Sequence, residues 1–171
     1  EVESKEALAK AGVSIPEGKV CATDETVAAA ETIGYPVVLK AVSSELAHKS
    51  EAGAVAVGLS DAAAVQEATT RMSVQFDRFL VEAMVRPMVA ELIVGVSHDH
   101  SFGLSLLIGT GGTLVELLDD TVSLLLPVQR DDIANAIASL KVAKIINAYR
   151  GGAAGDMDAV LDAVEAIAAY A

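Results

Sequence analysis

The stretch Gly34-Tyr35-Pro36-Val37-Val38-Leu39-Lys40 combines the signals of a helix end, a turn and a strand. A glycine just past a helix often ends it, and a proline shortly afterwards cannot continue it. The β-branched residues that follow predict a strand over Val37–Val42. Lys40 comes late in this apolar strand, so its ammonium group is expected to extend beyond the buried part of the sheet. Such a lysine either reaches water along its aliphatic stem or supplies a positive charge to a phosphate.

Helix and strand patterns alternate around this stretch, and strands then follow one another closely in the second half. The predicted helices are Glu3–Ala11, a segment from the N-cap Thr23 to Gly34, a segment from Asp61 to about Ser73 that is capped by Ser60, Asp131–Leu140 and Asp156–Tyr170. The predicted strands are Lys19–Ala22, Val37–Val42, Ala54–Leu59, Phe79–Met84, Ala90–Val96, Leu104–Ile108 and Thr113–Leu118. This order predicts an α+β fold of two α/β lobes rather than one doubly wound sheet.

The composition restricts the classes of function. The formal net charge is −12, so nucleic-acid binding is not expected, because it requires a basic surface. No apolar run approaches the roughly 18 residues of a membrane span, and no signal peptide is recognisable. The single Cys21 cannot form an internal disulfide, which fits a cytoplasmic location. The charge can serve solubility alone, and it requires any phosphate site to be built from a few local cations and backbone N–H groups.

The loop Glu45–Gly53 contains His48, Lys49 and Ser50 and has little apolar character. Loops held by a rigid scaffold often carry function. His48 titrates near neutral pH, so its imidazole can accept a phosphoryl group or donate a proton, and Lys49 can hold a phosphate. A solvated polar loop without a ligand is the alternative.

Two other stretches offer backbone groups to a ligand. Phe79–Val85 runs from a strand into a turn, where a free N–H and C=O can read an adenine edge and Met84 can contact the flat ring. Ordinary core packing is the alternative for Met84. Ile108–Thr113 contains three glycines between apolar strands, and glycine lets the backbone approach a ligand closely. It is not a Walker motif, because no Gly-Lys-Ser/Thr sequence follows.

Two acids follow the glycine-rich stretch. Glu116 lies in an apolar segment, where an unpaired carboxylate is costly, and Asp120 comes just beyond it. Carboxylates beside a glycine loop match the hard oxygen ligands that Mg²⁺ takes in nucleotide sites. Two acids that face water are the alternative.

These residues occur in the order of a known family. From Glu3 to Tyr170 the chain resembles the ATP-grasp domain of NDP-forming acyl-CoA synthetases, which include the ADP-forming acetate–CoA ligases and are related to succinyl-CoA synthetase. The most specific stretches are Gly34–Lys40, His48–Gly53 and Phe102–Pro127. The resemblance implies an ATP-grasp fold whose two lobes, at about residues 1–82 and 83–171, bind ATP between them. It also implies that the chain is a fragment of a larger enzyme.

The resemblance implies a role for each candidate residue. Lys40, Lys49, Glu82, Met84, Glu91, Gly111 and Gly112 would bind the nucleotide, Glu116 and Asp120 would hold Mg²⁺, and His48 would accept the phosphoryl group. In more detail, Lys40 would bind phosphates, and Glu82 and the backbone of Met84 would lie at the hinge that contacts adenine. Glu91 would meet the ribose, while Gly111 and Gly112 would line the phosphate region.

The implied reaction is acid + CoA + ATP giving acyl-CoA + ADP + phosphate, through acyl-phosphate and phosphohistidine intermediates. CoA and the small carboxylic acid would be handled by CoA-binding and CoA-ligase portions elsewhere in the enzyme, so the domain alone is not expected to complete turnover. Two alternatives stay open. A carboxylate–amine ATP-grasp ligase does not need His48, and a non-catalytic nucleotide sensor can lose its metal ligands. The sequence specifies neither the acid nor the choice of ATP over GTP.

Overall fold

Residues 1–43, 53–112 and 119–171 are described by the computed structural model of the chain. They divide into two units. Unit 1 contains Glu1–Glu3 and Ile15–Arg86, and unit 2 contains Ser4–Ser14 and Pro87–Ala171. The first helix, α1 (Val2–Lys10), therefore belongs mainly to unit 2. The assignment of ATP-grasp lobes to about residues 1–82 and 83–171 stays a prediction.

Unit 1 packs two helices on one face of a four-stranded sheet. Its elements are β1 (Gly18–Ala22), a 3-10 turn (Thr23–Glu25), α2 (Thr26–Ile33), β2 (Val37–Ala41), β3 (Val55–Leu59), α3 (Ala62–Met72) and β4 (Arg78–Ala83). The strand order is β1-β4-β2-β3, and every neighbouring pair is antiparallel. The last strand of the unit thus inserts between the first two.

The alternation of β2 fixes which side chains face the helices. Val37, Leu39 and Ala41 are fully buried and belong to the core formed with α2 and α3. Because successive side chains of a strand point to opposite faces, Val38 and Lys40 lie on the other face. The predicted position of Lys40 in a strand with a buried face is confirmed.

Unit 2 contains a three-stranded antiparallel sheet with helices on one face. Its further elements are β5 (Leu92–Asp99), β6 (Gly103–Thr110), β7 (Thr121–Leu125), α4 (Arg130–Ser139), α5 (Val142–Ile146), a 3-10 turn (Tyr149–Gly151) and α6 (Met157–Tyr170). The strand order is β5-β6-β7. Leu106 and Ile108 of β6 pack on Ile133, Ile137 and Val164 of the helices.

Several predicted boundaries need correction. Asp61, not Ser60, caps α3, because its carboxylate accepts a hydrogen bond from the Ala64 N–H at 2.8 Å. Thr23 begins a 3-10 turn rather than capping α2. The strand predicted at 113–118 falls outside the described residues. No described helix is both long and apolar enough to cross a bilayer.

Two elements were not predicted. They are the strand β7 at Thr121–Leu125 and the helix α5 at Val142–Ile146. The alternation of polar and apolar residues in Thr121-Val122-Ser123-Leu124 is the period-2 signal that would have identified the strand. The helix α5 is too short to show helical periodicity.

Candidate functional site

Lys40 and Glu82 form an ion pair on the face of the unit 1 sheet that lies away from the helices. The Lys40 Nζ is 2.9 Å from Glu82 Oε2 and 2.7 Å from Glu1 Oε1. Val38 is the cross-strand partner of Glu82, and Lys40 follows it by two residues on the same face. The pair is therefore set by the register of β2 against β4, since diagonal neighbours on one face are within reach of long side chains.

The backbone opposite Glu82 is closely packed. Gly18 of β1 is the cross-strand partner of Glu82. A Cβ added at Gly18 would lie 3.2 Å from Leu80 Cδ1 and 3.3 Å from the Val81 carbonyl oxygen. Glu82 is only 4% exposed, and a buried carboxylate is costly without a positive partner. The lysine supplies that partner.

The electrostatics keep Lys40 charged. Burial alone would lower the pKa of the Lys40 amine, but its hydrogen bonds to Glu1 and Glu82 outweigh burial and leave the pKa raised above 10.5. Side-chain exposure of 20% leaves part of the ammonium accessible. Lys40 is thus a partly exposed cation held in place by a buried acid.

Met84 follows the end of β4. Its N–H donates to the Pro36 carbonyl at 3.1 Å, and the Ala83 N–H donates to the Glu17 carbonyl at 2.8 Å. Among backbone hydrogen bonds outside the strand ladders of the described residues, none uses the C=O of Ala83 or the N–H of Val85. The N–H of Met84 is therefore committed within the sheet.

In unit 2 the predicted glycines form a tight turn against the start of β5. The Gly111 N–H donates to the Glu91 carbonyl at 2.8 Å. A Cβ at Gly111 would lie 2.8 Å from the Leu92 carbonyl carbon, so a side chain does not fit. Gly112 has φ +88, and the carboxylate of Glu91 occupies the space that its Cβ would take. The structure thus brings the exposed Glu91 together with Gly111 and Gly112.

Asp120 lies beside the same turn and is 8% exposed. Its main-chain carbonyl accepts from the Thr110 N–H at 2.9 Å. Its Oδ2 accepts from the Thr110 hydroxyl, from the Val142 N–H at 3.3 Å and from the Lys141 N–H at 2.9 Å. Among the described residues, Oδ1 accepts a hydrogen bond only from the same Lys141 N–H, at 3.0 Å. Asp120 therefore joins the turn to the start of α5.

These bonds keep Asp120 ionised. Burial alone would raise the pKa of this carboxyl, but the hydrogen bonds from Thr110, Lys141 and Val142 outweigh burial and lower the pKa below 3.8. The lightly used Oδ1 retains lone-pair capacity for a hard cation such as Mg²⁺, which accepts one or two carboxylates. The donor set therefore fits the metal, although the described residues alone contain no cluster of three metal-binding side chains.

The candidate residues fall into two described groups and one that is not described. Unit 1 carries Lys40, Glu82 and Met84; unit 2 carries Glu91, Gly111, Gly112 and Asp120; and His48, Lys49 and Glu116 lie outside the described residues. Sequence reasoning missed Thr110, which contacts Asp120 through both its backbone and its hydroxyl. Its position directly before the paired glycines is the signal that could have identified it.

Comparisons with known proteins agree with this architecture. A family model described as an ATP-grasp domain matches residues 1–171. The chain is 30% identical to the beta subunit of acetate–CoA ligase [ADP-forming] II of Pyrococcus furiosus over 171 residues, which are 95% of this chain and 72% of that protein. It is 34% identical to trans-feruloyl-CoA synthase FCS1 of an unknown prokaryotic organism, covering 96% of this chain but 24% of that longer protein.

A solved structure shares the whole fold. It is the dinucleotide-forming acetyl-coenzyme A synthetase 1 of Ca. Korarchaeum cryptofilum in complex with coenzyme A and Mg-AMPPCP, with its phosphohistidine segment pointing towards the nucleotide binding site. The TM-score is 0.87 at 31% identity, and the match covers 99% of this chain and 76% of that chain. The chain therefore belongs to the ATP-grasp domain family of the ADP-forming acid–CoA ligases. The predicted ATP-grasp fold is confirmed.

Proposed function

We propose that this chain is the domain that binds Mg–ATP for an ADP-forming acid–CoA ligase and exchanges a phosphoryl group between the nucleotide and His48. The observation that carries the proposal is the Lys40–Glu82 pair, a cation fixed on one face of a sheet in a chain of net charge −12. The related structure with Mg-AMPPCP and coenzyme A supports the same ligand class.

Lys40 would bind phosphate oxygens of the nucleotide. The ammonium group of Lys40 has three N–H donors. It donates hydrogen bonds to one carboxylate oxygen of Glu1 and to one of Glu82. A phosphate oxygen can accept a further hydrogen bond from Lys40 or replace the exposed Glu1 carboxylate, while Glu82 continues to position the lysine. Glu82 would then act by placing the cation rather than by contacting the base.

The adenine edge would be read next to Met84 rather than by the Met84 N–H itself, which Pro36 engages. The C=O of Ala83 and the N–H of Val85 supply one acceptor and one donor two residues apart. In an extended chain, groups at this spacing point to the same side. Such a pair matches the amino group and ring nitrogen at one edge of adenine.

Asp120 with Glu116 would hold Mg²⁺, which would supply positive charge to neutralise the phosphates. Phosphoryl transfer depends mainly on positioning and on charge neutralisation. The chain contributes Lys40 as a second positive charge and the glycine turn as a surface without side chains. Glu91, exposed beside Gly112, would accept hydrogen bonds from the ribose hydroxyls.

His48 would be the phosphoryl acceptor. A neutral imidazole nitrogen attacks the γ-phosphorus, an N–P bond forms, the bond from phosphorus to the bridging oxygen breaks, and ADP leaves with that oxygen. The phosphoryl group would then pass through the CoA-ligase portion to the acid, and CoA would displace phosphate from the resulting acyl phosphate to give acyl-CoA. In the reverse direction the phosphoryl group would return from His48 to ADP. The complete reaction, acid + CoA + ATP giving acyl-CoA + ADP + phosphate, is thus a property of the whole enzyme.

The test is to follow phosphorylation of the complete enzyme with ATP by mass spectrometry after an alkaline quench. The expected result is a phosphoryl group on His48 and its loss in His48→Asn, while ATP affinity is retained. His98→Asn is the matched control, because this exposed histidine of the β5–β6 hairpin has no role in the proposal. Full activity in His48→Asn would show that the chain works as a different kind of ATP-grasp ligase.

A further inference from the structure

The turn after α5 has an unusual backbone. Ala148 has φ 65 and ψ 58, and Arg150 has φ 51 and ψ 37, so both lie in the left-handed region. Side chains with a Cβ are disfavoured in that region by steric contact with the carbonyl oxygen. Two such residues within three positions persist only where the surrounding structure requires them, and such outliers cluster at ligand-binding sites.

The side chain of Arg150 is exposed and lies over an aromatic ring. Its Cζ is 5.2 Å from the centroid of the Tyr149 ring. In the described part of the chain, its guanidinium group forms no salt bridge. Arg130, the other arginine of unit 2, contacts the carboxylates of Asp158, Asp162 and Glu165. Stacking on a ring leaves the N–H edge of Arg150 available for an anion.

Contacts within unit 2 connect this turn to the nucleotide group. The Gly155 N–H donates to the Ile146 carbonyl at 2.7 Å, and a Cβ at Gly155 would lie 3.6 Å from Val89 Cγ1. Val89 precedes Glu91 by two residues. From the other side, α5 begins at the N–H groups that bind Asp120 and ends directly before the turn. The turn is therefore preceded by the helix that begins beside Asp120 and followed by Gly155, which lies near Val89 in the segment leading to Glu91.

We propose that Arg150 is a phosphate-binding residue of unit 2, which takes the phosphate oxygens of the nucleotide; this rests on the proposed function. Glu91 and Asp120 are both acids, and Arg150 would add a positive side chain to this group beside the Mg²⁺ proposed at Asp120. A guanidinium binds two phosphate oxygens at once with a fixed geometry, and the Tyr149 ring holds its plane. The left-handed backbone directs the side chain at the cost of local strain.

The test replaces Arg150 by glycine in the full chain, because glycine accepts the left-handed backbone without strain. The expected result is a melting temperature that is unchanged or higher, together with Mg–ATP affinity about tenfold weaker by calorimetry and unchanged adenosine affinity. Lys144→Ala is the control, since it removes a positive charge from the last turn of α5 and is expected to leave ATP affinity unchanged.

Two results would overturn the inference. Equal ATP affinity in wild type and Arg150→Gly would show that the guanidinium does not contact phosphate. A parallel loss of ATP and adenosine affinity would show that Arg150 only supports the fold. If the wild-type chain binds no ATP at all, the proposed function itself fails, and this outcome is seen before any variant is compared.

Discussion

The two units hold their candidate residues in different ways. In unit 1, a cation and an acid are placed by the register of two neighbouring strands and interact through their side chains. In unit 2, Gly111, Gly112 and Asp120 are themselves part of the backbone packing, through close approaches and hydrogen bonds to main-chain N–H groups. Substitutions in unit 1 should therefore change charge more than structure, and substitutions in unit 2 should change structure as well.

Asp120→Ala should give the largest loss of stability. It leaves the Lys141 and Val142 N–H groups and the Thr110 hydroxyl without their acceptor, which should lower the free energy of unfolding by about 3 kcal/mol. Denaturant unfolding measures this loss. Asp156→Ala is the control, because the exposed carboxylate of Asp156, the cap of α6, accepts the Ala159 N–H and its loss should cost about 1 kcal/mol. Equal losses of unfolding free energy in the two variants would contradict the structural role given to the hydrogen bonds of Asp120.

The pH dependence of this effect has a defined direction. The pKa of Asp120 is lower in the folded state than its ordinary value of 3.8. Its ionic contribution to stability is therefore present above about pH 3.8 and lost as the pH falls through the lower folded-state pKa. The difference in stability between wild type and Asp120→Asn should narrow only below that pH. If the stability difference between wild type and Asp120→Asn already narrowed between pH 7 and 5, a titrating group other than Asp120 would be responsible for it.

Gly111→Ala should have the next largest effect. Its Cβ would lie 2.8 Å from the Leu92 carbonyl carbon and 3.0 Å from its oxygen, so the backbone must move, at about 2 kcal/mol. Gly95→Ala in β5 is the matched control, since a Cβ there has no neighbour within 4 Å. Thermal unfolding of the two variants compares them. Similar melting temperatures would mean that the glycine turn is less closely packed than the structure indicates.

Lys40→Met should have a smaller effect on stability, about 1.5 kcal/mol at neutral pH, because it weakens the support of a buried carboxylate. Lys40→Met combined with Glu82→Leu should recover most of the loss, since an apolar pair can replace a buried ion pair. Because the pKa of Lys40 is raised above 10.5, the contribution of the pair should disappear only as the pH rises beyond that value. A double variant that is less stable than Lys40→Met would contradict this account.

Local sequence patterns predicted the parts of the fold that depend on neighbouring residues. The strand that carries Lys40, the end of α2 at Gly34 and the closing helix predicted at Asp156–Tyr170 follow from residues close in sequence. The structure has each of them, with the closing helix at Met157–Tyr170. The family resemblance then supplied the ATP-grasp fold. It also supplied the residue roles, which stay predictions.

Long-range pairings could not be predicted in the same way. The Lys40–Glu82 pair exists because β4 inserts between β1 and β2. No local sequence pattern indicates this strand order. Asp120 was predicted as a metal ligand, but its bonds to the start of α5, a helix too short to recognise, give it a structural role as well. The backbone of Arg150 likewise depends on how the turn packs after α5.

The most direct test of the central claim is calorimetric titration of ATP into the chain, with Mg²⁺ and with EDTA, for wild type, Lys40→Ala and Lys19→Ala. The account predicts binding that needs Mg²⁺, weakens by about 1.5–3 kcal/mol in Lys40→Ala and is unchanged in Lys19→Ala, an exposed lysine of β1. Equal affinity in wild type and Lys40→Ala, or binding that is insensitive to EDTA, would contradict it.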